Sequence, residues 1–143
     1  MSSSGSLLLL LDTHVWVWLL NRDAGLACSP ALDAIQAAAA RGAVRVSVIS
    51  VWEVGMLQAK GRIRFAQTCE EWVRRGLTAP GISCAALTPE IALASTRLPD
   101  SFHGDPADRL LVATARLLAA TLVSGDGRIR AYGARGHVAV MPV

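Results

Sequence analysis

Lysine is nearly absent from this chain of 143 residues: of 14 basic side chains only Lys60 is lysine, and the rest are arginine. Cysteine is sparse too. Cys28, Cys69 and Cys84 are odd in number and form no CxxC pair, which excludes a disulfide framework and a cysteine-built zinc site. Buried free thiols in a reducing compartment are expected. No long apolar span is present: the run Leu7 to Leu11 is cut by Asp12, and the opening MSSSGS lacks the basic stretch of a secretory signal. The reading is a cytoplasmic protein with no membrane association, in which residues 1–6 form a disordered tail.

Charged residues are also few, 17% against 52% hydrophobic, which excludes intrinsic disorder and leaves apolar surface to be covered by a partner. A homodimer is expected. The length suits one domain, 7–143, with a sizeable core and no repeat, low-complexity tract or linker to divide it. The formal charge is +3. Basic side chains cluster at Lys60, Arg62 and Arg64 and at Arg128, Arg130 and Arg135, and either a solvated surface or contact with a polyanion accounts for them.

Strand-like and helix-like stretches alternate along the chain. Leu7 to Leu11 reads as a doubly buried strand, followed by a helix from Thr13 to Leu20, a loop from Asn21 to Cys28, and an alanine-rich helix opened by Ser29-Pro30. Val44 to Ile49 is a second strand. Helices follow over Ser50 to Lys60 and Thr68 to Leu77, then a strand over Ile82 to Leu87, a helix over Thr88 to Arg97 and a loop over Pro99 to Gly104. Asp105-Pro106 opens a helix that reaches about Ala119. A strand at Thr121 to Val123, a short helix at Gly127 to Tyr132 and a strand at Val138 to Val140 close the chain. The fold class is α/β, a mostly parallel sheet of four or five strands sandwiched between helices.

Four acids, Asp12, Glu53, Asp108 and Asp126, stand where a strand ends or a helix begins. In a parallel sheet such junctions share one edge, so distant residues can converge in one crevice. Four converging carboxylates repel, and a divalent cation with oxygen ligands, Mg²⁺ or Mn²⁺, would neutralise them. Each acid also has a structural alternative. Asp12 could cap the first helix, Ser50 to Glu53 matches a capping box, Asp105 and Asp108 fall at the N-cap and N3 of one helix, and Asp126 could be a turn or cap residue. Helix N-termini beside these acids favour their ionised forms at neutral pH. His14, His103 and His137 show no ligand spacing, so surface or core roles are favoured. Trp16, Trp18, Trp52 and Trp72 read as core or interface rather than base-stacking platforms.

The segments LLLLLDTHVWVWLL, SVISVWEVGMLQAKGRI, DPADRLLVATA and TLVSGDGRIRAYG resemble the PIN domain, specifically the VapC toxins of bacterial type II toxin-antitoxin modules. That resemblance implies an endoribonuclease using Mg²⁺ or Mn²⁺, with Asp12, Glu53, Asp108 and Asp126 as its four acidic positions, and a cognate antitoxin of VapB type. Asp12 and Asp108 are assigned as the core metal ligands. Glu53 and Asp126 complete the cage or position the nucleophile. The family often shows Thr and a basic residue before the fourth acid, where this chain has Ser124 and Gly125. Three other readings stand beside it: a receiver-like signalling domain, a solitary PIN nuclease without antitoxin, and a DNA-directed nuclease of the same fold. A receiver would carry an acidic pair after the first strand and a lysine after the last, whereas Asp12 is single and Lys60 lies mid-chain.

Overall fold

A computed structural model describes residues 7–143; the tail expected over residues 1–6 lies outside them. The elements run β1 (Leu9–Leu11), α1 (Thr13–Leu20), α2 (Ala24–Ala27), α3 (Pro30–Ala40), β2 (Val44–Ser47), α4 (Val48–Ala59) and α5 (Cys69–Thr78). They continue as β3 (Ile82–Ala85), α6 (Pro89–Ser95), α7 (Pro106–Leu118), β4 (Thr121–Ser124), α8 (Gly127–Ala134) and β5 (Val140–Pro142). The five strands form one parallel sheet in the order β3-β2-β1-β4-β5. Strand order reverses at β1, which pairs with β2 on one side and β4 on the other. A crevice opens beyond the strand C-termini at such a reversal.

Alternation along β1 divides the core in two. Leu9 and Leu11 join Val44, Val46 and Val123 against α1, α3, α4 and α5, through Val15, Trp16, Ile35, Val54 and Trp72. Leu10 and Leu122 face the other way and pack on Ile91, Leu111, Ile129 and Tyr132 from α6, α7 and α8. Both faces of the central strand are thus covered. This is why β1 is an unbroken leucine run, each side chain contributing about 1.5–3 kcal/mol by leaving water. Two glycines mark close approaches. A Cβ at Gly76 would lie 2.7 Å from the Trp16 ring. At Gly81, where φ is +83°, it would lie 2.0 Å from the Ala39 carbonyl oxygen.

Four local readings are corrected. The loop expected over Asn21 to Cys28 contains the single-turn α2, because the Asp23 carboxylate accepts from Gly25 N–H and caps it. The strand expected to run to Ile49 ends at Ser47, whose hydroxyl accepts from Ile49 N–H, so α4 starts at Val48. The final strand is shifted to Val140–Pro142 by its pairing of Val140 with Leu122. Cys28 and Cys84 are exposed and Cys69 is half-buried, so the thiols are free but not core residues.

Candidate active site

Three helices begin at the edge where β1 and β4 end. Asp12 follows β1 and caps α1 by accepting from Val15 N–H (2.9 Å). Asp105 caps α7, accepting from Asp108 N–H (3.1 Å). Asp126 follows β4 and caps α8 through Arg128 N–H (2.8 Å) and Ile129 N–H (3.1 Å). The capping roles are therefore real for all three. Each carboxylate has a second oxygen beyond the one that caps, and the three residues line one crevice of about 360 Å³ with Glu53, Asp108, Thr13, His14, Trp18 and Arg128.

Glu53 reaches this crevice because the helix starts earlier than its sequence suggests. With Ser47 as N-cap, Ser50 lies inside the first turn of α4 and Glu53 in the second, so the expected capping box does not form. Thr13 Oγ1 hydrogen-bonds both Ser50 Oγ (2.9 Å) and Glu53 Oε1. One hydroxyl proton cannot serve two acceptors, and the carboxylate takes it. Ser50, fully buried, then donates to Thr13.

Electrostatically the crevice is strained. Burial pushes the Asp108 carboxyl from 3.8 up to about 7, helped by the negative neighbours Asp105, Asp126 and Glu53. Burial also raises Asp12, against the opposing Ser124 hydroxyl and Val15 N–H, and raises Glu53 against the Thr13 hydroxyl. Full ionisation at neutral pH, expected from the helix N-termini, therefore does not hold for the metal-free chain. Desolvation and like charge outweigh the helix dipoles at Asp108. A divalent cation fits this donor set. It would offset the burial and like charge that raise the Asp108 carboxyl, and among the described residues a carboxylate oxygen each of Asp108 and Asp126 and a ring nitrogen of His103 lie within 4.8 Å of one another.

The profile of the PIN domain family matches residues 9–134. The chain belongs to the PIN domain family. It is 34% identical over 123 residues, 86% of this chain and 90% of the relative, to Ribonuclease VapC22 of Mycobacterium tuberculosis. Two solved structures share the fold. VapBC2 of Rickettsia felis bound to a promoter DNA fragment has a TM-score of 0.67 at 13% identity, covering 94% of this chain and 97% of that one. A toxin-antitoxin complex from Klebsiella pneumoniae has a TM-score of 0.53 at 20% identity, covering 82% and 85%.

In this PIN domain all four acids singled out by sequence, Asp12, Glu53, Asp108 and Asp126, line one crevice. Three further residues in or beside that crevice escaped sequence reasoning. His103 places Nε2 at 3.2 Å from Asp108 Oδ2. Exposed His14 and half-buried Trp18, one turn apart on α1, form part of the wall. Of the basic clusters only Arg128 lines the crevice, 3.9 Å from Asp126, whereas Arg135 pairs with Asp100 at 2.8 Å. Lys60, Arg62 and Arg64 are solvent-exposed.

An apolar stripe runs beside the PIN crevice. Val48, Trp52 and Met56, one helical turn apart on α4, are 41%, 57% and 37% exposed. Trp16 and Trp72 are core residues as expected, while Trp52 lies open. A second hollow, walled by Ile49, Trp52, Pro106 and Ala107, shares Glu53 and Asp105 with the crevice. No helix among the described residues is long and apolar enough to cross a membrane.

Proposed function

We propose that this PIN domain is a metal-dependent endoribonuclease, the toxin of a toxin-antitoxin module, which hydrolyses RNA phosphodiester bonds in the cytoplasm with Mg²⁺ or Mn²⁺. The observation that carries this reading is the convergence of Asp12, Glu53, Asp108 and Asp126 from four separate segments on one crevice that holds Asp108 at about 7. Helix capping accounts for Asp12 and Asp126 singly but not for their meeting with Glu53 and Asp108 in one crevice. Family membership and the 34% identity to a ribonuclease support the reaction class.

Asp12 and Asp108 would hold the cation, with Asp126 completing the cage. A bound divalent cation supplies charge neutralisation at the phosphoryl group and an acidified water. Glu53 has Oε1 held by Thr13, which leaves Oε2 to accept the proton of the attacking water, and its raised pKa makes it a better base than an exposed glutamate. Ser124 fixes Asp12 through its hydroxyl. Arg128 at the rim, together with the N-terminus of α8, meets a phosphate. Together these groups bind, orient and deprotonate.

The partners in this reading are an RNA substrate, an antitoxin of VapB type and a second copy of the chain. The toxin-antitoxin complex among similar folds and the exposed stripe of α4 support a protein partner. Single-stranded RNA incubated with purified protein is expected to be cut with Mg²⁺ or Mn²⁺ and spared in EDTA, with Asp12→Asn inactive. Cleavage that is unchanged in excess EDTA yet lost in Asp12→Asn refutes the metal requirement. Growth arrest on expression alone, relieved by a small protein from the adjoining reading frame, tests the toxin role.

A further inference from the structure

His103 sits in a loop that is held far more tightly than an exposed connection requires. Arg109 on α7 reaches back to donate to the carbonyls of Ser95 (2.8 Å), Phe102 (3.0 Å) and His103 (3.3 Å). Tyr132 on α8 donates to the Pro99 carbonyl, and Arg135 binds Asp100 and the Ser101 carbonyl, both at 2.8 Å. The Phe102 ring lies between the rings of His103 and Tyr132, with centroids 4.3 Å and 4.7 Å away. Loop, ring and helix form a bracket. What it presents to Asp108 is the imidazole.

The tautomer of that ring follows from the contact at its other nitrogen. His103 Nδ1 accepts from the Asp105 backbone N–H at 3.3 Å, so Nδ1 cannot itself carry a proton, and the proton of the neutral ring is on Nε2. A ring bound to a cation through Nε2 would need its proton on Nδ1, facing the Asp105 N–H. That tautomer would set two N–H donors against each other at Nδ1. Nε2 is nevertheless buried, 3.2 Å from Asp108 Oδ2, and in no aligned hydrogen bond. A donor is being held against an acceptor, short of a small rotation.

We propose that His103 is a positioning residue of the metal site: its Nε2–H donates to Asp108 Oδ2, fixes the rotation of that carboxylate and leaves Oδ1 to serve the crevice. The inference rests on the reading of Asp108 as a ligand. Oxygen ligands held by an outer hydrogen bond lose about 10- to 100-fold in metal affinity when that bond is removed. His103 would thus set how strongly the site takes its cation without touching it.

The test uses the full chain and Mn²⁺ alone, titrated by the loss of the free-ion electron paramagnetic resonance signal. His103→Ala and the bulkier His103→Leu should bind Mn²⁺ about 10- to 100-fold more weakly at unchanged circular dichroism, and His103→Gln, whose amide can donate, should recover most of that loss. Pulsed resonance on the wild type should show no directly bound ¹⁴N. A directly bound nitrogen makes His103 a ligand and overturns the proposal, as does affinity in folded His103→Leu within about twofold of wild type. If wild type binds no Mn²⁺, or Asp108→Asn binds it equally well, the reading of the site itself fails. Loss in Asp108→Asn but not in His103→Leu removes the positioning role alone.

Discussion

Asp105 and Asp108 lie three residues apart at the start of α7, and neutralising each should have opposite consequences for the metal-free protein. Asp108 is 18% exposed at its side chain, and its carboxyl is raised from 3.8 to about 7 by burial and by Asp105, Asp126 and Glu53. A folded pKa above the unfolded one means that the protonated group contributes stability below about pH 4, and that this is lost as pH rises through about 7. The full displacement corresponds to about 4 kcal/mol. Partial exposure and relaxation reduce it to about 1–2 kcal/mol. Asp108→Asn, neutral at every pH, should therefore melt about 3–8 °C above wild type at pH 8.5 in EDTA, by less at pH 5, and level with it only below about pH 4. Asp105→Asn should keep its cap and lose only a few tenths of a kcal/mol. It should also make Asp108 easier to ionise, because Asp105 is the strongest negative neighbour acting on it. Thermal melts of the three proteins across pH 5 to 8.5 decide the matter. A gap between Asp108→Asn and wild type that does not change with pH would refute the electrostatic argument, and lost RNA cleavage in Asp105→Asn with retained cleavage in Asp108→Asn would reverse their roles.

Metal affinity should fall as pH drops through about 7, because Asp108 must lose its proton to bind; calorimetric Mn²⁺ titrations at pH 6 and 8 check this. Gly81→Ala should destabilise by more than about 3 kcal/mol in urea unfolding, since both its positive φ and the Ala39 carbonyl exclude a methyl group. Gly76→Ala should cost about 1–3 kcal/mol by driving a methyl into the Trp16 ring, read as a lower urea midpoint and altered tryptophan fluorescence. Tyr132→Phe should cost about 1 kcal/mol and loosen the loop before α7, seen as faster amide exchange over residues 99–104.

The sheet and the ends of α1, α7 and α8 were legible because their signals are local: a leucine run stopped by Asp12, Asp105-Pro106 at N-cap and N1, and Asp126 before a short helix. Glu53 was placed in the site by its position after the second strand and by the family resemblance, but was also given a structural alternative, a capping box with Ser50, that does not form. Ser47 and Ser50 both satisfy the cap rule, and only the length of β2 decides between them. His103 was not legible at all. Its position is set by Arg109, Tyr132 and Arg135, and the interactions that aim it span up to 35 residues of sequence. The charge state of Asp108 was misread for a related reason, since burial and the approach of Glu53 belong to the assembled crevice rather than to the helix start.

Helix α4 turns Glu53 toward the crevice while Val48, Trp52 and Met56 stand in the solvent beside it, and Trp52 shares a hollow with Glu53 and Asp105. Anything that shields the three apolar side chains must overhang a wall of the reaction chamber. The sticky face of the protein and one wall of its acidic crevice are thereby carried by a single helix.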